Sequence, residues 1–125
     1  MRSIALAAVG TALALAGCGG GQGSVGEDVS PEQVESCLKR AGVKTGGTRD
    51  LIAEDAGVGS VVAELDRNRA NVVIERSEGD AESTASDYEA FIENPDERLT
   101  QEGSVVVAWD KTPTDQETRA IEGCL

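Results

Sequence analysis

The chain has no histidine, so it lacks the side chain that most often serves as a general base near neutral pH and most often binds a transition metal. Ser-His-Asp and Cys-His nucleophilic centres are therefore excluded. Ser60, Ser83 and Ser104 have neither a lysine beside them nor a Gly-x-Ser-x-Gly setting, and they read as caps and surface residues. "AGVGSV", Ala56–Val61, has two of the glycines of a dinucleotide-binding turn. It lacks the third and runs into a strand pattern instead of a helix, so it reads as an ordinary turn.

Carboxylates are the one abundant functional group: 23 Asp and Glu stand against 11 Lys and Arg, for a net charge of −12. Asp87, Glu89, Glu93, Asp96 and Glu97 gather around the end of one predicted helix. A hard cation would need roughly six to eight oxygens there, and no stretch has the alternating Asp/Asn spacing with a central glycine. "DRNRAN" supplies Asp66, Asn68 and Asn71 but is interrupted by arginines. The expectation is a solvated acidic face with no metal and no cofactor. Paired-carboxylate hydrolysis of a sugar would also need an aromatic cleft. Tyr88, Phe91 and Trp109 are the only aromatics, and all fall on predicted core faces, with Trp109 ending its strand at the sheet margin, where a groove could form. So acidic a chain is repelled by phosphate backbones and anionic headgroups, which excludes nucleic acid as a partner.

The three cysteines are Cys18, Cys37 and Cys124. Cys18 ends "MRSIALAAVGTALALAGC", in which Arg2 precedes an uncharged apolar run, the pattern of an export signal. The run is shorter than the roughly 20 apolar residues a spanning helix requires. Leu15, Ala16, Gly17 and Cys18 resemble the lipobox of bacterial lipoproteins at all four positions. The resemblance implies a diacylglycerol on the Cys18 sulfur, cleavage before Cys18 and a new terminus open to acylation; two acyl chains anchor stably where one binds only marginally. On that basis residues 1–17 are the signal peptide, 18–29 the lipidated cysteine with a glycine-rich leash, and 30–125 one small domain. The processed chain is one unit more negative than the full one, since Arg2 is the only charge removed. With Cys18 lipidated and the chain exported, Cys37 and Cys124 are left as a pair expected to be bonded. The bridge closes a loop of about 87 residues, worth on the order of 4 kcal/mol in the chain-entropy picture. More broadly, the chain resembles small lipoproteins of high-GC Gram-positive bacteria, with "CL" at Cys37-Leu38 and again at Cys124-Leu125. That resemblance implies no particular activity.

Several elements must position these groups. "SPEQVESCLKRAG" predicts a helix with Ser30 as N-cap, Pro31 in the first helical position, Gln33 completing a capping box and Gly42 as the stop. Val34, Cys37, Leu38 and Ala41 recur at helical spacing, so Cys37 faces the core. Val43–Thr45 can form a short edge strand and Thr48–Asp55 a short helix capped by Thr48. Ser60–Leu65 and Asn71–Arg76 read as a hairpin about a polar turn at Asp66–Arg69. A second helix carries Ala81, Ala85, Tyr88 and Ile92 on one stripe with Phe91 beside it, and Asn94-Pro95 ends it. "SVVVAW", Ser104–Trp109, is apolar without alternation, as in a strand covered on both faces. The last helix is predicted to start at a second capping box, Thr114 to Glu117, and to continue to the C-terminus.

These elements predict an α+β fold, a small mainly antiparallel sheet of three to four strands covered by helices. If Val43–Thr45 is a strand and Thr48–Asp55 a helix, the interior order is βαββαβ, the ferredoxin-like arrangement, with the terminal helices as additions. The expected function is a lipid-anchored extracytoplasmic protein, held to the membrane through Cys18, with a non-catalytic domain that binds a protein or another cell-envelope component. A small-ligand or cation-binding lipoprotein is the alternative, and a carboxylate-only enzyme the third reading.

Overall fold

The structure, a computed structural model, describes residues 29–125. The signal segment, Cys18 and residues 19–28 of the leash lie outside the described residues. Helix α1 (Pro31–Arg40) starts at the expected capping box: Ser30 Oγ accepts the Gln33 N–H at 3.2 Å, and Gln33 Oε1 accepts the Ser30 N–H at 3.3 Å. Gly42, at φ 86°, turns the chain into β1 (Lys44–Thr45). Next come α2 (Leu51–Glu54), β2 (Gly59–Leu65), β3 (Asn68–Ile74), α3 (Glu78–Glu89), α4 (Pro95–Arg98), β4 (Leu99–Glu102), β5 (Val105–Trp109) and α5 (Asp115–Glu122). The five strands form one antiparallel sheet in the order β1-β2-β3-β5-β4. The fold class is α+β, with one strand more than expected at the upper end.

The sheet is sandwiched between helices, because its central strands are apolar on both sides. On one face Val61, Ala63, Ala70, Val72, Ile74, Val105, Val107 and Trp109 pack with Val34 and Leu38 of α1 and Ile121 of α5. On the other, Val73, Val106 and Ala108 pack with Ala53 of α2 and with Ala81 and Tyr88 of α3. The unalternating run of β5 is accounted for directly, since alternate residues fill opposite cores.

Four details depart from expectation. Helix α2 is capped by Asp50, not Thr48, with Asp50 Oδ1 accepting the Ala53 N–H at 2.7 Å. The β2–β3 turn is only Asp66-Arg67, since Leu65 already pairs with Asn68. Asn68 is drawn into the strand because its amide ties the hairpin to the chain before α5: Oδ1 accepts the Lys111 N–H and Nδ2 donates to Lys111 O, both at 3.0 Å. Strand β4 was not anticipated. "LTQE" is short and polar, and it pairs with β5 through a turn in which Gly103 adopts φ 57°.

The ferredoxin-like arrangement is not the topology. A split βαβ unit sets another strand between the two that flank a helix. Strands β1 and β2, which flank α2, are instead direct antiparallel neighbours. The reason is length: four residues of helix advance about 6 Å, whereas β2 runs about 23 Å, so α2 cannot carry the chain back for a parallel return. The longer α3 can. Strands β3 and β4 are parallel, with β5 between them.

At the two ends of the domain, α1 and the chain following α5 meet. Cys37 and Cys124 are joined by a disulfide, with Cα atoms 5.6 Å apart across a sequence separation of 87. Cys124 packs against the first core.

Candidate functional site

The carboxylates that end α3 do not build a centre. Asp87, Glu89, Glu93, Asp96 and Glu97 are all exposed, and among the described residues no three His, Cys, Asp or Glu side chains converge to hold a metal ion. Asp66, Asn68 and Asn71 are separated, with Asn68 and Asn71 buried in β3. Trp109, at 3% exposure, is packed into the first core. Ser60 Oγ donates to Ala53 O at 3.0 Å, a structural bond behind α2. Ser104 is buried in the β4–β5 turn, and Ser83 lies exposed on α3.

Phe91 is the informative correction. It was expected beside the apolar stripe of the helix but is 78% exposed. Helix α3 closes at Ala90, and Phe91 and Ile92 both donate their N–H to Tyr88 O, at 2.9 and 3.0 Å. Within that final turn Ile92 falls over the sheet, and Phe91, one position earlier, falls outside it. Leu51, the first residue of α2, is 80% exposed for a comparable reason: a four-residue helix directs Ile52 and Ala53 at the sheet and leaves Leu51 outward.

Between these two side chains lies a recess of about 620 Å³, lined by Thr48, Arg49, Asp50, Leu51, Ile52, Glu54, Tyr88, Phe91 and Ile92. Its wall is mainly apolar. A second depression, of about 450 Å³, adjoins it through Thr48, Arg49 and Glu54 and reaches to Pro31, Glu32 and Glu35. That one is polar and lined by solvated carboxylates, so it offers little apolar area to bury. The first recess is the better candidate because desolvating apolar surface drives most association.

Two carboxylates make its walls a unit. Tyr88 Oη, at the base of the recess, donates to Asp50, lying 2.9 Å from Oδ1 and 3.0 Å from Oδ2. Burial pushes the phenol above the ordinary tyrosine range, and the Asp50 charge and the hydrogen bond to it add to the effect, as does the charge of Glu75. The phenol is therefore a fixed donor, not an acid or a base near neutral pH. Glu75, only 7% exposed at the end of β3, accepts the Gly57 N–H at 2.8 Å through Oε1 and the Thr84 hydroxyl at 2.6 Å through Oε2. Asp50 thus joins the start of α2 to the end of α3, while Glu75 joins the chain after α2 to the middle of α3. Each carboxylate is engaged by donors from separate elements, and together they hold α2 against α3.

Sequence reasoning missed Asp50, Glu75 and the exposure of Leu51. The available signal was Asp50 itself, an N-cap type followed three residues later by a small apolar Ala53. No protein-family model, curated protein or solved structure matches the chain.

Proposed function

We propose that this chain is a lipoprotein, anchored through Cys18 on the extracytoplasmic face of the membrane, whose small domain is a non-catalytic docking module. The observation that carries the docking role is the recess between Leu51 and Phe91, two large apolar side chains about four-fifths exposed beside a preformed apolar cavity. Single exposed apolar residues are ordinary, but two flanking a concave apolar surface mark an interaction site. The lipobox at Leu15–Cys18 supports the anchor. The Cys37–Cys124 bond supports export, because such bonds persist in oxidising compartments.

A small-ligand lipoprotein is the second reading, favoured by a cavity volume within the roughly 300–1,000 Å³ of small-molecule sites. A small ligand would leave the outer surfaces of Leu51 and Phe91 wet, however, whereas a macromolecule would cover them.

The test is made in the producing cell. Wild type is expected in the membrane fraction and Cys18→Ser in the soluble one; equal solubility of both refutes the anchor. A photoreactive residue in place of Phe91 is expected to crosslink to a discrete partner, and Leu51→Ser is expected to abolish the adduct. An adduct that survives Leu51→Ser, or none at all, refutes docking at the recess.

A further inference from the structure

We infer that the occupant of the recess is a basic polypeptide segment, one apolar side chain seated between Leu51 and Phe91 and lysines or arginines on either side of it. The inference rests on the docking reading above and adds the chemistry of the partner.

The apolar anchor follows from the wall. Ile52, Ile92 and the ring of Tyr88 form an apolar floor, and the Tyr88 hydroxyl behind it is already bonded to Asp50. A polar side chain pressed against that floor would gain no hydrogen bond from it to offset its desolvation.

The basic flanks follow from the rim. Glu54 lies at the edge of the recess, and Asp55 and Asp87 line the adjoining depression that shares Leu51 and Ile52. Every charged side chain from Ser77 to Glu97 is acidic. The next cation, Arg98, donates to the main-chain oxygens of Trp109 at 2.9 Å and Glu93 at 3.1 Å. Among the described residues the one ion pair is Glu35–Lys39, on α1. The rim thus presents a one-sided field with its carboxylates unneutralised, relieved only by Arg49. Such a field speeds the encounter with a cation and repels an anion. A second copy of this chain would bring the same acidic rim and its own negative net charge, so self-association across this face is opposed. Anionic lipid headgroups are opposed for the same reason.

The experiment uses the full-length chain in detergent and three dye-labelled peptides read by fluorescence anisotropy. The first has a central Leu-Phe pair between lysines and arginines, the second has glutamates in place of the basic residues, and the third keeps the basic residues but has Ser-Ser at the centre. Only the first is expected to bind, and Phe91→Ser is expected to weaken it roughly tenfold or more, the scale of an apolar anchor at the centre of an interface. Changing the exposed Glu54 and Asp87 together to lysine is expected to weaken it by a similar factor and to admit the second peptide. Unchanged Trp109 fluorescence shows that each variant is folded. Equal binding of the second peptide, tight binding of the third, or indifference to Phe91→Ser overturns the inference. If none of the peptides binds while position 91 still crosslinks to a partner in cells, the basic occupant is wrong and the docking reading stands; if the adduct is a dimer of this chain, the basic occupant is wrong and the face is a self-interface.

Discussion

Asp50 and Tyr88 stand 38 residues apart in sequence, yet the phenolic oxygen of Tyr88 lies 2.9 Å and 3.0 Å from the two oxygens of the Asp50 carboxylate. The same Oδ1 caps α2 through Ala53. A single side chain therefore fixes where α2 begins and where the last turn of α3 sits, and those two points are the opposite walls of the recess. The contact is local in space and remote in sequence, which is why spacing along the chain gives no hint of it.

Tyr88 is the only tyrosine, so its ionisation can be followed directly by tyrosinate absorbance. Its folded pKa is raised above the unfolded value of about 10. The stability it contributes is then fully present below that value and is lost as the pH rises above it. Tyrosinate absorbance is expected to appear together with the fluorescence change of Trp109 as the domain unfolds in alkali, not before it. In Asp50→Asn the negative charge facing the phenol is gone, and tyrosinate is expected at lower pH. Early, non-cooperative ionisation of the wild type would show that the phenol is not held as described.

Glu75 is buried with two donors and without a basic partner among the described residues. Glu75→Ala leaves the Gly57 N–H and the Thr84 hydroxyl unpaired and is expected to destabilise the domain by about 3 kcal/mol, with faster amide exchange at Gly57. Glu75→Gln keeps an acceptor and a donor in the same place and is expected to cost less than half as much. Urea unfolding of the two variants, read at Trp109, makes the comparison. Equal losses would mean that the hydrogen bonds are not what Glu75 contributes.

Legibility followed the range of the interactions. Helix α1 was readable because its start is written within four residues, Ser30 to Gln33, and its buried face repeats within three turns. Strand β5 was readable because an apolar run without alternation has few alternatives at that length. Strand β4 was not, since "LTQE" exists as a strand only by pairing with β5, and its exposed edge tolerates polar residues. Asp50 displaced Thr48 as the cap because it gained a second partner, Tyr88, that the local sequence does not contain. Phe91 misled because one position of rotation at a helix end separates core from solvent, a smaller step than periodicity over a whole helix resolves. The candidate site is thus assembled from the parts the sequence expressed least: two helix ends, a four-residue helix and a pair of long-range carboxylates.

Reduction of the Cys37–Cys124 bond, or a Cys37→Ser, Cys124→Ser double change, is expected to lower stability by about 2–5 kcal/mol, with a melting temperature lower by many degrees for a domain of this size. Mass spectrometry of a digest made without reductant is expected to show the two cysteine peptides joined. Two alkylatable thiols in the oxidised protein would contradict the pairing.

The same bond changes what the domain is as a mechanical object. From Cys37 to Cys124 the backbone and the bridge form a closed ring that contains all five strands of the described sheet. A protease that nicks any loop inside the ring opens it without releasing a fragment. Tension entering from the N-terminal side reaches Cys37 within the first helix and passes across the sulfurs to the last residues of the chain. It can peel the first turns of α1, but it cannot draw the sheet out strand by strand. A partner seated between Leu51 and Phe91 would instead pull on points inside the ring, so its load would divide between two arms, one running on from Cys37 and the other reached across the sulfurs from Cys124.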